Sequence, residues 1–182
     1  MRLSNQAPEE VILDLDATDD PLHGHQEGRF FHGYYGHYCY LPLYIFCGDF
    51  LLCARLPEAD HGQSAGALEE IERIVKRVRE RWPEVRIILR GDSGLSSDQI
   101  MNWCESPEGQ VDYVFGQAKN DRLLKLLSAE MEEARQQLEA TGQASRFFGE
   151  KRDQTRESWS CERRVAGRPR LQWIKRHAQR FG

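Results

Sequence analysis

Two acidic segments carry side chains whose type and spacing suit metal-assisted chemistry. Residues 11–16, Val-Ile-Leu-Asp-Leu-Asp, predict a short buried strand with Asp14 and Asp16 on one face, because side chains alternate along a strand. Asp92 follows another apolar segment, between glycines that let the backbone turn. If the strands are parallel neighbours, the carboxylates meet at the sheet edge where α/β folds place ligands. Their repulsion favours Mg²⁺ between them, whereas the simpler alternative is that they stabilise turns or pair with arginines.

Hydrophobic periodicity predicts the helices that would position these carboxylates. Two series of apolar residues with helical spacing predict amphipathic helices. The members of the two series are Leu68, Ile71, Val75, Val78 and Trp82, and then Leu123, Leu127, Met131, Ala134 and Leu138. Between them, Ser96 or Ser97 is predicted to cap a short helix that ends at about Glu105.

The remaining apolar segments predict strands. Residues 85–89 and 111–115 are two of them, and an aromatic segment predicts a long strand from Phe30, a turn at residues 47–49 and a return strand over 50–56. The order is therefore strand, hairpin, helix, strand, helix, strand, helix. This order predicts an α/β fold whose mixed sheet contains an antiparallel hairpin followed by parallel crossovers.

Histidines, cysteines and aromatics offer weaker signals. Nine of the 18 aromatic residues lie between Phe30 and Phe50; they are predicted to pack in the core and on a sheet face, not to form a base-stacking platform. Zinc binding is only weakly indicated, since no cysteine stands at ligand spacing from the histidines. Those histidines are His23, His25, His32 and His37, and the cysteines interpreted as buried apolar residues are Cys39, Cys47 and Cys53.

Composition limits the class of protein. The 182 residues predict one domain with an extension, and 40% hydrophobic with 30% charged residues excludes wholesale disorder. Residues 146–182 contain eleven Lys or Arg and four Asp or Glu, a charge of +7, so the net charge of −4 leaves −11 for residues 1–145. The absence of a long apolar run and of a signal peptide predicts a cytoplasmic chain that does not bind a membrane.

Longer motifs resemble a known family. The segment VILDLDATDDPLHGHQEG, the following GYYGHYCYLPL, the RGDSG that contains Asp92 and the later VDYVFGQAKN resemble, in order, the DDE-type transposases of bacterial insertion sequences. The resemblance covers roughly residues 10–165. It includes the segment LPEADH, where the family usually has a Gly-Asn-rich turn. It implies a ribonuclease-H-like fold, flanked by helices and incomplete at the C-terminus.

The resemblance also implies an activity and a site. It implies that Mg²⁺ or Mn²⁺, held by three carboxylates, promotes cleavage at transposon DNA ends and their joining to target DNA. By this comparison Asp16 and Asp92 are the metal ligands and catalytic residues, with Asp14 as the rival for the first position. Thr18, His23 and Gln26 are the expected substrate-binding residues, with Thr18 positioning the first loop.

The third carboxylate of the family, a Glu on a downstream helix, has no match. Glu157 and Glu162 do not lie in the family's Glu motif. We therefore expect residues 1–145 to be a partial catalytic core, inactive alone. Residues 146–182 would be a basic tail at the start of the missing insertion region, with residues 166–182 read out of frame. The downstream nucleotide sequence tests this hypothesis.

Two other interpretations remain open. Asp14-Leu-Asp-Ala-Thr18 fits the Asp-x-Asp-x-Thr signature of haloacid-dehalogenase-like phosphatases, with Asp14 as nucleophile and Asp16 as general acid-base, but no helical crossover follows it. Alternatively, the chain is a non-catalytic remnant that binds DNA, a full-length transposase or a second copy of itself. The basic tail would then contact phosphates, although a solvated, disordered tail is the simpler interpretation.

Overall fold

The computed structural model describes residues 7–33, 36–56, 66–118, 120–146, 148–155, 158–167 and 170–171. The chain divides into two compact units, Met1–Gln117 and Ala118–Gly182. Within the described residues, no helix combines the length and the apolar character that a membrane crossing requires. The division expected from the resemblance, at residue 145, remains a prediction.

The first unit contains most of the regular structure. Its elements in chain order are β1 (Glu10–Ala17), β2 (Asp20–Pro21), β3 (Phe30–His32), β4 (His37–Tyr40), β5 (Leu43–Cys47), β6 (Phe50–Arg55), α1 (Ala67–Arg81), β7 (Arg86–Gly91), α2 (Asp98–Glu105) and β8 (Asp112–Phe115). The second unit contains α3 (Asp121–Leu126), α4 (Ser128–Thr141), β9 (Ser145–Arg146), β10 (Gly149–Asp153), β11 (Arg163–Gly167) and β12 (Arg170–Leu171).

A five-stranded mixed sheet forms the centre of the first unit. Its strand order is β6-β5-β1-β7-β8. β5 and β6 form an antiparallel hairpin beside β1, and β7 and β8 run parallel to β1 on the other side. The predicted α/β architecture, a ribonuclease-H-like mixed sheet with a hairpin followed by parallel crossovers, is therefore confirmed.

Within the described residues of the first unit, one face of this sheet packs against α1 and α2. The inward residues of β1, Leu13 and Leu15, are buried in one hydrophobic cluster with Ile71 of α1 and Ile100 of α2. Alternation along the strand then places Asp14 and Asp16 on the opposite face. Burial of the face toward the helices is the main stabilising contribution. The opposite face, which carries Asp14 and Asp16 together with Ile12 and Ile88, is less buried.

The helices of the first unit follow the predicted periodicity. Alternating intervals of three and four residues place Ile71 and Val75 on the buried side of α1. Ser97 caps α2, since its hydroxyl accepts a hydrogen bond from the Ile100 N–H at 3.3 Å. Of the two serines considered from the sequence, the structure selects the second.

The aromatic segment differs from its prediction. Instead of one long strand it forms β3, β4 and β5, and β4 pairs with β2 and β3 in a separate three-stranded sheet. A turn with Gly36 at φ +72° separates β3 from β4, and Leu41 and Pro42 separate β4 from β5. Proline lacks the N–H that a continuous ladder would need. The prediction placed the aromatic residues in the core and on a sheet face. Phe31, at 56% exposure, and Phe50, at 54%, are not in the core.

The predicted second helix is interrupted in the second unit. Asn120 caps α3 by accepting a hydrogen bond from the Leu123 N–H at 2.9 Å, and Leu127, at φ −101° and ψ 18°, separates α3 from α4. α4 keeps the predicted buried side at Ala134 and Leu138, whereas no residue of α3 is fully buried. Within the predicted basic tail, β10 and β11 pair as an antiparallel hairpin, and residues 147, 156–157, 168–169 and 172–182 lie outside the described residues.

Burial predicts which cysteines react. Cys39 and Cys53 are buried as predicted, whereas Cys47 is partly exposed. Burial raises the pKa of the Cys104 thiol to about 12, so at pH 8 only about one molecule in 10,000 carries the thiolate. Exposed Cys161 should be alkylated by iodoacetamide first, as measured by peptide mass spectrometry, with Cys104 protected until denaturant is added. Rapid native labelling of Cys104 would contradict this packing.

Candidate active site

The carboxyl end of β1 brings the first acidic residues to the sheet edge. β1 is a strand because buried Val11, Leu13 and Leu15 alternate with more exposed residues. Asp14 and Asp16 share the face away from the helices, where Asp14 is half-buried and Asp16 is exposed. The sequence prediction that both project from one face is thus met by the structure.

The parallel register of β1 and β7 carries Asp92 to the same edge. Glu10 is aligned with Arg86, and the last aligned pair is Asp14 with Arg90. Two residues beyond this pair are Asp16, still within β1, and Asp92, the first residue after β7. Both aspartates therefore lie at the carboxyl end of neighbouring strands. Strands in a sheet lie about 4.8 Å apart, which brings the two loops that follow them side by side.

Asp14 is engaged by an arginine of the neighbouring strand. Arg90 donates two hydrogen bonds to it, from Nε to Oδ1 at 2.6 Å and from Nη2 to Oδ2 at 2.8 Å. The geometry is the bidentate fork of a guanidinium on a carboxylate. These hydrogen bonds lower the pKa of Asp14, although partial burial opposes the shift. Both Asp14 oxygens therefore have a partner already.

Asp16 has a lighter set of contacts. Thr18 donates a hydrogen bond from its hydroxyl to Asp16 Oδ2 at 2.9 Å, which orients the carboxylate without neutralising it. On the other side of β1, Asp16 is aligned with Tyr44 of β5. The exposed carboxylate thus keeps lone pairs for a cation or for water.

The loop after β7 holds Asp92 by backbone contacts. Gly94 donates its N–H to Asp92 Oδ1 at 2.8 Å, and the Leu95 N–H reaches the Asp92 carbonyl at 3.4 Å. From the next strand, Gly116 donates its N–H to the Gly91 carbonyl at 2.9 Å. The short loop after β8 therefore supports the loop that carries Asp92.

Close packing explains why residue 116 is a glycine. A Cβ there would lie 3.2 Å from the Ser93 nitrogen and 3.3 Å from the Asp92 carbonyl carbon. Both neighbours are backbone atoms of the Asp92 loop, so any larger residue must displace that loop by a few tenths of an ångström. Next to it, the Gln117 side-chain amide donates to the Ser96 hydroxyl, which ties the same two loops together.

The other predicted site residues lie in the loop between β2 and β3. His23 and Gln26 are exposed there. Among the described residues, neither side chain contacts Asp14, Asp16 or Asp92. His25 contacts Arg29 at 2.8 Å, and His37 contacts Asp19 at 3.0 Å. In the part of the chain that the structure describes, no group of three or more His, Cys, Asp or Glu side chains is placed to hold a metal ion. Glu162 is exposed, and Glu157 lies outside the described residues.

Sequence reasoning missed Arg90 and Gly116 as parts of this arrangement. Arg90 had a signal, since it directly follows the predicted strand 85–89 and stands two residues before Asp92. Its pairing with Asp14 depends on a register between strands that are 76 residues apart. Gly116 carries no such signal, because only the folded structure shows what lies against it.

The fold indicates the class of protein, and the sequence indicates the family. The mixed sheet with two acidic strand ends at its carboxyl edge defines a ribonuclease-H-like α/β domain. The sequence matches the family described as transposase DDE domain, group 1, over residues 2–175. The chain belongs to this family.

Two further comparisons add little. No curated protein matches the sequence. Among solved structures, the chain is similar to that described as the cryo-EM structure of piggyBac transposase synaptic complex with hairpin DNA, with 12% identity and a TM-score of 0.42. The match covers 64% of this chain and 25% of the solved chain, so the chain spans about a quarter of that protein.

The Asp14–Arg90 ion pair should stabilise the sheet modestly. Because both groups are partly exposed, we expect a coupling free energy of about 0.5–1 kcal/mol in a double-mutant cycle of Asp14→Asn and Arg90→Gln, measured by urea unfolding. The pKa of Asp14 is lowered on folding from its ordinary 3.8, so the coupling is present above pH 3.8 and lost as the pH falls through the lowered value. A coupling that grew on acidification would contradict the assignment.

Gly116 offers a matched test of the loop packing. Gly116→Ala should destabilise the fold by about 1–3 kcal/mol, because backbone atoms must move to admit the methyl group. Gly33→Ala is the control, since a Cβ at Gly33 meets no atom within 4 Å, and it should change the unfolding free energy by about 0.5 kcal/mol or less. Equal stability of the two variants in thermal unfolding would show that the contact is absent.

Proposed function

We propose that this chain contains part of the catalytic core of a DNA transposase, with Asp16 and Asp92 as metal ligands and catalytic residues. The observation that carries the proposal is the parallel β1–β7 register, which brings these two carboxylates to the same sheet edge. Membership of the transposase DDE domain family supports the reaction class. The substrate is then DNA, both the transposon ends and the target.

The donor set suits a hard divalent cation. Mg²⁺ binds through one or two carboxylates and completes its shell with phosphate oxygens and water, so two exposed aspartates suffice to anchor it beside a DNA phosphate. Asp16 is the better first ligand because Arg90 already binds both oxygens of Asp14. Mn²⁺ has the same preference for oxygen ligands.

Each residue has a distinct part in the proposed reaction. A bound Mg²⁺ would supply Lewis-acid stabilisation of the phosphate and a water of lowered pKa. Thr18 orients the Asp16 carboxylate, and the Gly94 N–H orients that of Asp92. The Asp14–Arg90 pair fixes the two strands and neutralises Asp14, which limits the negative charge that an incoming phosphate meets.

Two features of the proposal rest on the resemblance. The family uses a third carboxylate, so we expect the chain alone to bind DNA and metal without completing strand transfer. His23 and Gln26, exposed in the loop beyond β2, remain proposed DNA contacts, and assembly with a full-length transposase or a second copy remains a partner hypothesis.

The phosphatase alternative requires Asp14 as a free nucleophile, which its two hydrogen bonds from Arg90 disfavour.

Metal titration tests the ligand assignment. Mn²⁺ binding to the full chain, followed by the electron paramagnetic resonance of free Mn²⁺, should weaken about tenfold or more in Asp16→Asn and in Asp92→Asn, because each loses an anionic ligand. Asp112→Asn is the matched control: this exposed aspartate is in the same sheet but bonds Arg86 at 2.7 Å. It should bind Mn²⁺ like the wild type.

Four outcomes would redirect the proposal. Equal weakening in Asp112→Asn would mean that the ion binds diffusely to negative surface. Loss of binding in Asp14→Asn with retention in Asp16→Asn would exchange their roles. Trapping of an aspartyl-phosphate on Asp14 after incubation with a phosphate ester would favour the phosphatase. DNA binding that needs no metal, and that Asp16→Asn leaves unchanged, would favour the non-catalytic remnant.

A further inference from the structure

The three-stranded sheet carries a pair of aromatic rings on its solvent side. Phe31 and Tyr38 are aligned cross-strand partners, 56% and 44% exposed, with ring centroids 5.5 Å apart in an edge-to-face arrangement. The guanidinium of Arg29 lies 4.3 Å from the centre of the Tyr38 ring. Packing in the described part of the chain therefore does not account for these rings.

This aromatic pair belongs to the same face as the candidate metal ligands. Burial alternates without interruption from residue 38 to residue 46: the odd-numbered side chains are buried, and the even-numbered ones are more exposed. The more exposed side includes Tyr38, Tyr40 and Tyr44, and Tyr44 is aligned with Asp16. One continuous ribbon face thus leads from the carboxylates to the aromatic pair.

The separation can be estimated from strand geometry. Tyr44 and Tyr38 are six positions apart in the chain, and at about 3.3 Å per residue an extended backbone spans at most about 20 Å between them. Stacked nucleotides advance about 3.4 Å each along a strand. A DNA strand that follows this face would therefore bring a nucleotide about six positions from the reacting phosphate onto the rings.

We propose that Arg29, Phe31 and Tyr38 form a stacking platform for unpaired bases of the DNA strand held at Asp16 and Asp92. The proposal rests on the function proposed above and adds the class of substrate: DNA with unpaired nucleotides near its reacting end. Aromatic faces bind bases of any sequence. Arg29 adds a cation that complements the phosphates while it contacts the Tyr38 ring.

The charges around the platform are compatible with this occupant. Asp19 is bonded to His37 at 3.0 Å, and His37 points to the opposite face of β4 from Tyr38 because side chains alternate. Asp20 lies on β2, which β4 separates from β3. The Arg29 guanidinium is thus a positive charge in contact with the Tyr38 ring.

Fluorescence titration tests the platform with two DNA probes in the presence of Mg²⁺. One is a blunt duplex of about 20 base pairs, and the other is the same duplex with an unpaired tail of about eight nucleotides that carries 2-aminopurine at its sixth position. Wild-type chain should quench the 2-aminopurine by stacking. Phe31→Ala should abolish the quenching and weaken binding of the tailed probe about 5- to 100-fold, with the blunt duplex unchanged.

Matched variants separate stacking from folding. Phe50→Ala removes the same side chain at 54% exposure from β6 and should leave both probes unaffected. Phe31→Trp keeps an aromatic face and should retain quenching and affinity. Retention in Phe31→Trp with loss in Phe31→Ala supports the platform.

Several results would overturn it. These are equal loss for both probes in Phe31→Ala, an equal effect of Phe50→Ala, or a self-association, seen by sedimentation, that Phe31→Ala abolishes. In the last case the rings would cover a second copy of the chain. If wild-type chain binds neither probe, the proposed function itself fails; if it binds both equally and Phe31→Ala changes nothing, only the platform fails.

Discussion

The parallel alignment of β1 with β7 is the constraint on which the rest of the candidate site depends. A shift of one residue would turn each aspartate to the other face of the sheet, because side chains alternate, and would separate Asp14 from Arg90. The alignment is maintained from two sides: on the helix face by burial of Leu13 and Leu89, and on the open face by the two hydrogen bonds from Arg90 to Asp14. The apolar contacts supply most of the stability, whereas the ion pair contributes mainly to the specificity of the register, since the alternative alignments would leave both charges unpartnered.

Three neighbouring aspartates, Asp14, Asp16 and Asp92, differ in the contacts that hold them. Asp14 is bonded to Arg90 through both oxygens. Asp16 is oriented by Thr18 without being neutralised, and Asp92 is held at a turn by the Gly94 N–H. Charge at the sheet edge is thereby reduced to two carboxylates that face solvent. In the proposed function, a cation bound by Asp16 and Asp92 would offset the repulsion between two carboxylates at one sheet edge.

Much of this architecture could be predicted from local pattern, and the exceptions have physical causes. Period-two burial in β1 and the helical spacing of Ile71 and Val75 in α1 were enough for the mixed α/β order, because each element buries an apolar face of its own. The long aromatic strand was predicted wrongly, because Gly36 and Pro42 interrupt pairing that composition alone favours. The long second helix was wrong at Leu127, whose side chain suits a helix but whose backbone leaves it. For the site, strand ends located Asp16 and Asp92, whereas the partners Arg90 and Gly116 depend on contacts between distant segments.

The break at Leu41 and Pro42 has a mechanical consequence. The three-stranded sheet continues from the β1–β5 pair through two short connections, and at this point the ladder is open. From Pro42 to Tyr38 the chain advances four residues, about 13 Å at about 3.3 Å each. A rotation of about 15° at Pro42 would therefore move Tyr38 by about 3.5 Å, close to one nucleotide step of stacked DNA. In the proposed complex with DNA, such a rotation would change which nucleotide meets the rings while Asp16 and Asp92 stay in place.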